Sequence, residues 1–236
     1  MAIKLGSTNF GQIYLGSVNI GEAYYGATKV FPVSQGLPPY TMRLRYKEGY
    51  TPTKSSGTLR QVSTSPNIWD YTYNNTDWHG VFNTDFNLVE VIDGNTTGIT
   101  DMHLLFDMSS VPNTHLLERV ALFDTSTVQN ISSMFLKCRK LTTIPLFDTS
   151  AAYVWNRFLG GCIELTSLPL FDTHLAVYAN SAFANCSKVR GGALALYQAM
   201  STNGVIWQHN GTFENCGSNG GSTGQSELAQ IPSDWK

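Results

Sequence analysis

Hydrophobic and polar positions recur every 24 residues in the middle of the chain, over residues 117–188. The phrase Leu-Phe-Asp-Thr stands at 122–125, at 146–149 and at 170–173. Self-similarity at a fixed period in this range is typical of stacked repeats, because one short unit cannot bury its apolar side alone. The pattern therefore predicts repeats at 117–140, 141–164 and 165–188, whose matched apolar columns are Leu117/Leu141/Leu165, Val120/Ile144/Leu168 and Phe123/Phe147/Phe171.

Each repeat contains two segments for which the pattern predicts a structure. The loose alternation of apolar residues from Leu141 to Leu146 predicts a short inward-facing strand, and residues near Met134 and Phe135 predict a helical turn. A divergent first repeat at 88–116 places Ile99–Phe106 in register with Val128–Phe135, so that Leu105-Phe-Asp107 is a false match to the repeated phrase. The predicted fold class is α+β: a leucine-rich-repeat solenoid over 88–188, with different structures at its ends.

A second, shorter repeat occupies residues 5–31, where Leu-Gly-Ser and related phrases return every ten residues. Very short apolar segments alternating with turn residues predict a meander of small strands, which is marginal as a free-standing unit. We therefore predict that 1–31 is an attachment or oligomerisation module, with Tyr14, Tyr24 and Tyr25 as docking residues. The alternative is a β cap packed on its own chain.

Two further segments separate these repeats. The Pro- and Gly-rich stretch 32–40 predicts an extended linker. Residues 41–87 are rich in aromatic side chains, among them Trp69 and Trp78. We predict that this segment caps the open end of the repeats, and a sugar or receptor site built from the same aromatic residues is the alternative.

The last segment, 189–236, ends the repeats. Ala193–Met200 predicts a helix that begins after two glycines. A Gly-, Ser- and Asn-rich loop is predicted at 217–226, followed by a capping half-repeat at 228–232.

The composition of the chain bears on which classes of function are plausible for it. Only 14% of residues are charged, the net charge is −2 and there is no basic run, so a nucleic-acid partner has no electrostatic support. The surface must rely on Ser, Thr, Asn and Gly, which favours an extracellular or particle-borne protein. The start of the chain is not typical of a secretory signal peptide, and no stretch has the length of a membrane span.

Candidate chemistry is sparse. Cys138, Cys162 and Cys186 hold matched repeat positions, and Cys216 continues them, which favours a column of buried cysteines over disulfides or a zinc site. The matched Asp124/Asp148/Asp172 column allows a calcium ladder or local turn caps equally well. Gly220–Gly224 matches a nucleophile-elbow pattern but lacks an apolar strand before it. We therefore predict no catalytic, cofactor-binding or metal-binding residue, and no enzymatic activity.

The phrases Leu-Thr-Thr-Ile-Pro-Leu-Phe-Asp-Thr-Ser at 141–150 and Ser-Ser-Met-Phe-Leu-Lys-Cys at 132–138 resemble the BspA-like leucine-rich-repeat family, in its phage- and prophage-borne branch. The Tyr-Leu-Gly-Ser phrase at 14–17 resembles short modules at the head of phage structural proteins. The resemblance implies a virion protein. Repeats 141–164 and 165–188 depart from the family pattern at Tyr153 and Tyr178, which makes these two tyrosines candidate partner contacts, together with Trp69 and Trp78.

These observations predict a non-enzymatic phage structural protein: a fibre, adhesin or decoration subunit that displays its repeats to a host surface protein or glycan. It would join other virion proteins through 1–31, form a homo-oligomer, and be assembled in the host cytoplasm and displayed outside it. A bacterial cell-surface adhesin or interaction module is the main alternative. A glycan hydrolase is a third.

Overall fold

The structure is a computed structural model, and it describes residues 36–110, 115–202 and 206–236. Within residues 1–35 the structure describes only the backbone of four short strands. These form two antiparallel pairs, β1 (Tyr14–Leu15) with β2 (Val18–Asn19) and β3 (Ala23–Tyr25) with β4 (Thr28–Val30).

The remaining elements begin with four longer strands and one short strand. In chain order these are β5 (Thr41–Tyr46), β6 (Thr58–Thr64), β7 (Asn67–Thr72), β8 (Leu88–Asn95) and β9 (Arg119–Val120). Two helices and one 3-10 turn follow near the C-terminal end: α1 (Ala193–Ser201), α2 (Gly221–Gln230) and Ser233–Trp235.

One mixed sheet joins five of these strands in the order β6-β7-β5-β8-β9, with only the β8–β9 pair parallel. Strand β5 lies at the centre and its side chains alternate: Met42, Leu44 and Tyr46 are buried, while Arg43 and Arg45 are partly exposed. Alternation of apolar and basic residues over 41–47 is typical of such a half-exposed strand. The two arginines reach carboxylates on the neighbouring strands, Asp70 and Glu90.

Beyond this sheet, successive repeats touch through single residues rather than strands. A column of parallel one-residue bridges runs through Asp77, Asp101, Asn130, Val154, Tyr178 and Gln208, which we call the bridge column. The N–H group after each bridging residue donates to the next bridging carbonyl, as from Ile131 to Val154 at 3.0 Å. The predicted register of the divergent first repeat is confirmed, because Asp101 bridges Asn130.

After each bridging residue the chain makes tight turns, and a left-handed residue stands three positions on. These residues are Gly80, Leu104, Ser133, Arg157, Ser181 and Gly211, with φ between 53° and 63°. Hydrogen bonds from residue i+3 to residue i close the turns, as from Met134 N–H to the Ile131 carbonyl at 3.1 Å. The helical turn predicted near Met134 is wrong, because a residue with positive φ interrupts the right-handed path on which a helix depends.

The predicted leucine-rich-repeat solenoid is wrong as well. The described residues form a small mixed sheet of five strands and two short helices, and the repeats supply turns and one-residue bridges instead of a regular strand in every unit. Among the three regular repeats, only 117–140 has a strand at the predicted position, Arg119–Val120. In the next two repeats Pro145 and Pro169 follow that position; proline lacks an N–H group, and the chain turns there as Phe147 N–H bonds the Pro145 carbonyl at 3.0 Å.

The predicted apolar columns do form the core. All nine matched residues are at most 8% exposed, and Leu117, Leu141 and Leu165 are fully buried. Beside them, the rings of Phe82, Phe106 and Phe135 stack with centroids 5.3 Å and 5.4 Å apart. Apolar burial of this kind is the dominant favourable term in folding.

The C-terminal segment is only partly as predicted. Helix α1 confirms the helix at Ala193–Met200, but α2 occupies most of the predicted 217–226 loop and of the predicted half-repeat, so these two predictions are wrong. Glycine permits this second helix to approach the backbone at Val189 closely, because a Cβ atom on Gly220 or Gly224 would overlap the carbonyl oxygen of Val189. That proximity is not visible in the local sequence.

Candidate functional site

The residue before each bridging residue lies on the exposed edge of the repeats. Here the Tyr153 carbonyl accepts the N–H of Val177 at 2.9 Å, and the Val177 carbonyl accepts the N–H of Trp207 at 3.0 Å. The hydrogen bonds therefore place Tyr153, Val177 and Trp207 in register on three successive repeats.

Large apolar side chains in this register are unusually accessible. Trp207 is 76% exposed and Tyr153 is 41% exposed. The bridging residues beside them, Val154 and Tyr178, are half-buried. We call Tyr153, Val154, Val177, Tyr178 and Trp207 the aromatic strip. Contiguous exposed apolar surface of this kind is a common mark of an interaction site.

The aromatic strip covers only the last three repeats. At the other end of the same edge the equivalent residues are polar: Thr76 and Thr100 precede the bridging residues Asp77 and Asp101. The stacking bonds are alike at both ends, so the apolar character comes from residue type and not from the backbone.

An asparagine ladder runs beside the aromatic strip, two positions after the bridge column. Asn156 Oδ1 accepts the backbone N–H of Asn180 at 2.9 Å, and Asn180 Oδ1 accepts that of Asn210 at 2.9 Å. The Asn180 amide also donates to Gln208 Oε1 at 2.8 Å. These bonds hold the Asn156 and Asn180 amides in fixed positions next to the exposed aromatic side chains.

This arrangement suits a saccharide. Tyr and Trp offer flat apolar faces with a polar handle, against which the C–H face of a sugar ring can lie. A side-chain amide offers both donors and an acceptor for hydroxyl groups. Within the described residues the Asn156 Nδ2 group has no hydrogen-bond partner, so it remains a donor for a ligand.

The structure brings together two of the predicted contact residues, Tyr153 and Tyr178. Sequence reasoning missed Trp207, because helix α1 lengthens the step from Tyr178 to Gln208 and moves Trp207 out of the 24-residue register. The signal available in the sequence was a tryptophan that follows the helix by a few residues.

The other two predicted contacts lie away from the strip. Trp78 is fully buried, and its indole N–H donates to the carbonyls of Tyr73 and Asn75 at 3.2 Å and 2.9 Å. Trp69 is half-buried and donates to Asn67 Oδ1 at 2.8 Å. Trp78 also packs edge-to-face on Phe82, so it serves the core at the sheet end of the repeats.

The docking residues predicted in 1–31 lie in the short strands. Tyr14 belongs to β1, and Tyr24 and Tyr25 belong to β3. Their side chains fall outside the described residues.

The cysteine column is confirmed as buried core. All four cysteines are free and buried. The thiols of Cys138, Cys162 and Cys186 donate to carbonyls of the preceding repeat, as from Cys162 to Phe135 at 3.2 Å. Burial raises the pKa of each thiol.

The aspartate column makes local turn caps. Asp148 Oδ1 accepts both the N–H and the hydroxyl of Ser150, at 3.0 Å and 2.7 Å, and Asp172 Oδ1 is likewise 2.7 Å from His174 Nδ1. Residues 36–110, 115–202 and 206–236 contain no group of three His, Cys, Asp or Glu side chains placed to hold a metal ion.

Two further observations bear on other activities. Ser222, the serine of the nucleophile-elbow pattern, lies in the first turn of α2, and turns rather than a strand precede it. No helix in the described part of the chain has both the length and the hydrophobicity to cross a membrane.

The chain was compared with protein-family models, curated proteins and solved structures. No protein-family model, curated protein or solved structure matches the chain.

Proposed function

We propose that this chain is a non-enzymatic structural protein of a bacteriophage particle, a fibre, adhesin or decoration subunit, that attaches to a glycan or protein on the host surface through the aromatic strip. The observation that carries the adhesive role is Trp207, which is 76% exposed and in register with Tyr153. Tryptophan and tyrosine are among the residues most enriched at binding hot spots, so their exposure on an ordered edge favours an interaction surface.

The proposal of a phage particle rests on the sequence. The phrases at 132–138 and 141–150 resemble repeats found in phage-borne proteins. The phrase at 14–17 resembles short modules at the N-terminal end of phage structural proteins. In this proposal residues 1–31 dock onto other virion proteins or onto further copies of the chain.

A bacterial cell-surface adhesin is the second candidate, because the same aromatic strip would serve it equally. Immunogold labelling separates the two. Antibody against this chain should label purified phage particles, and label confined to the bacterial surface would overturn the virion assignment.

The adhesive role is tested by binding of the full-length chain to host cells. Trp207→Ala and Tyr153→Ala should each weaken binding about tenfold or more, the usual scale for an aromatic hot spot. Val62→Ala is the matched control, because Val62 is 41% exposed but lies on strand β6, away from the strip. Wild-type affinity in the Trp207 variant would overturn the role assigned to the strip.

A further inference from the structure

A groove opens next to the asparagine ladder, where two consecutive glycines interrupt the columns of side chains. Gly160 and Gly161 occupy repeat positions that carry Leu136 and Lys137 in the preceding repeat. The following repeat places Ala184 and Asn185 there. The missing side chains leave a groove of about 440 Å³.

Two cations line this groove. Lys137 borders it from the preceding repeat and Arg157 from the same repeat as the glycines. Neither forms an ion pair with any residue that the structure describes, whereas Lys188, outside the groove, is paired with Glu164 at 2.7 Å. One carboxylate, Glu214, also lines the groove, so the three charged groups leave a net charge of +1.

Backbone geometry sets where the main chain of both cationic residues lies in the repeats. Both residues have left-handed backbone, with φ of 56° and 57°. The N–H of Lys137 donates to the Gly160 carbonyl at 2.7 Å, and the N–H of Arg157 donates to the Asn180 carbonyl at 2.9 Å. A Cβ atom on Gly161 would lie 3.2 Å from Lys137 Cγ, so the glycine leaves room for the lysine side chain.

The groove and the aromatic strip are close along the chain, because Val154 and Arg157 are three residues apart and their Cα atoms therefore at most about 11 Å from each other. Asn156 of the ladder lies between buried Trp155 and exposed Arg157, and Val154 of the strip comes just before them. A chain-like ligand that lies on the strip and crosses the ladder therefore meets the groove next. Its neutral rings would contact Trp207 and Tyr153, and a charged substituent would meet Arg157 and Lys137.

We propose that the groove lined by Lys137, Arg157, Gly160, Gly161, Asn185 and Glu214 binds the acidic groups of an anionic polysaccharide whose rings lie on the aromatic strip. This inference rests on the proposed adhesive function and adds the chemical class of the ligand. A guanidinium group matches carboxylate and phosphate geometry with paired N–H donors. The Asn185 amide and the Ser181 hydroxyl at the groove supply further donors.

The test is calorimetric titration of the full-length chain with three probes: a galacturonic acid oligosaccharide, its carboxyl-reduced neutral counterpart of equal length, and poly(glycerol phosphate). The acidic oligosaccharide should bind at least about tenfold more tightly than the reduced one, as expected when charge-assisted hydrogen bonds are added. Binding of the phosphate polymer in addition would show that the groove accepts either anion. Equal affinity for the acidic and reduced sugars would overturn the proposal.

Variants separate this site from the aromatic strip. Arg157→Gln and Lys137→Gln should each weaken acidic-sugar binding about tenfold and leave the reduced sugar unaffected. Arg190→Gln is the matched control, because Arg190 is exposed, unpaired among the described residues and outside the groove. If Arg157→Gln behaves like Arg190→Gln, the groove is not the site.

A third variant fills the groove without changing its charge. Gly161→Asn places in this repeat the residue that stands at the equivalent left-handed position as Asn185 and Asn215, with φ of 60° and 55°, so the fold should tolerate it. It should weaken acidic-sugar binding, and unchanged binding would count against the groove. If Trp207→Ala bound host cells as tightly as wild type, that result would instead contradict the adhesive function itself.

Discussion

Lys54 places its ammonium nitrogen 2.7 Å from the Asp85 carboxylate in the interior, where the two side chains are only 10% and 5% exposed. The same ammonium donates to the Val81 carbonyl at 2.8 Å and lies 4.5 Å from the centre of the Phe82 ring. Burial lowers the pKa of Lys54, and Asp85 acts in the opposite direction. The pair fastens the loop before β6 onto the turn that the Asp85 N–H closes on the Phe82 carbonyl at 3.1 Å.

Lys54→Met should lower the free energy of unfolding by about 3 kcal/mol, because it leaves the Asp85 charge buried with the Tyr46 hydroxyl as its only side-chain partner among the described residues. Denaturation in guanidinium chloride measures this. Lys188→Met is the control, since the exposed Lys188–Glu164 pair should contribute less than about 1 kcal/mol. Equal effects of the two substitutions would show that the buried pair contributes no more to the free energy of unfolding than the exposed pair does.

Glu90 should make the sheet sensitive to acid. Burial alone would raise the pKa of Glu90, but hydrogen bonds from Arg119 and Arg45 outweigh it and hold the pKa below the usual 4.5. A depressed carboxyl pKa stabilises the fold above the unfolded pKa, and this stability is lost as pH falls through the folded pKa.

Glu90→Gln should therefore be less stable than wild type at neutral pH, and its stability should decline less between about pH 5 and pH 3. Thermal unfolding across this pH range provides the measurement. Parallel pH curves for wild type and variant would contradict the assignment.

The four cysteines should be unreactive in the folded protein. The thiolate is the reactive form, and burial of Cys138, Cys162, Cys186 and Cys216 raises their pKa values. Titration with a chromogenic disulfide at about pH 8, near the pKa of an exposed thiol, should detect no fast thiol before unfolding and four in guanidinium chloride. A rapidly labelled cysteine in the native protein would refute this.

The left-handed turn positions should tolerate glycine and reject branched residues. Ser181 has φ of 54°. Ser181→Gly should change stability by less than about 1 kcal/mol, and Ser181→Val should destabilise by more than about 1 kcal/mol, because a β-branched residue crowds the backbone in this region. Ser167→Val is the control, since Ser167 is exposed and lacks a positive φ. Similar losses at both positions would argue against backbone strain.

Part of the fold and of the candidate site could be predicted from residue pattern. The apolar columns, the buried cysteines and helix α1 were predictable, since each is a matter of which side chains repeat and how strongly a segment favours a helix. Tyr153 and Tyr178 were identifiable as departures from that repetition. Trp207 was not, because its place beside them depends on backbone bonds across helix α1.

The sequence alone determined the spacing and register of the repeats, because apolar residues must recur wherever stacked units bury them. It did not determine the backbone path. Ser133, Lys137 and Arg157 have no intrinsic preference for left-handed backbone, yet each takes positive φ and donates its N–H to the next repeat. Only the tertiary structure supplies those partners, so only it decided between turns and the predicted helical segments.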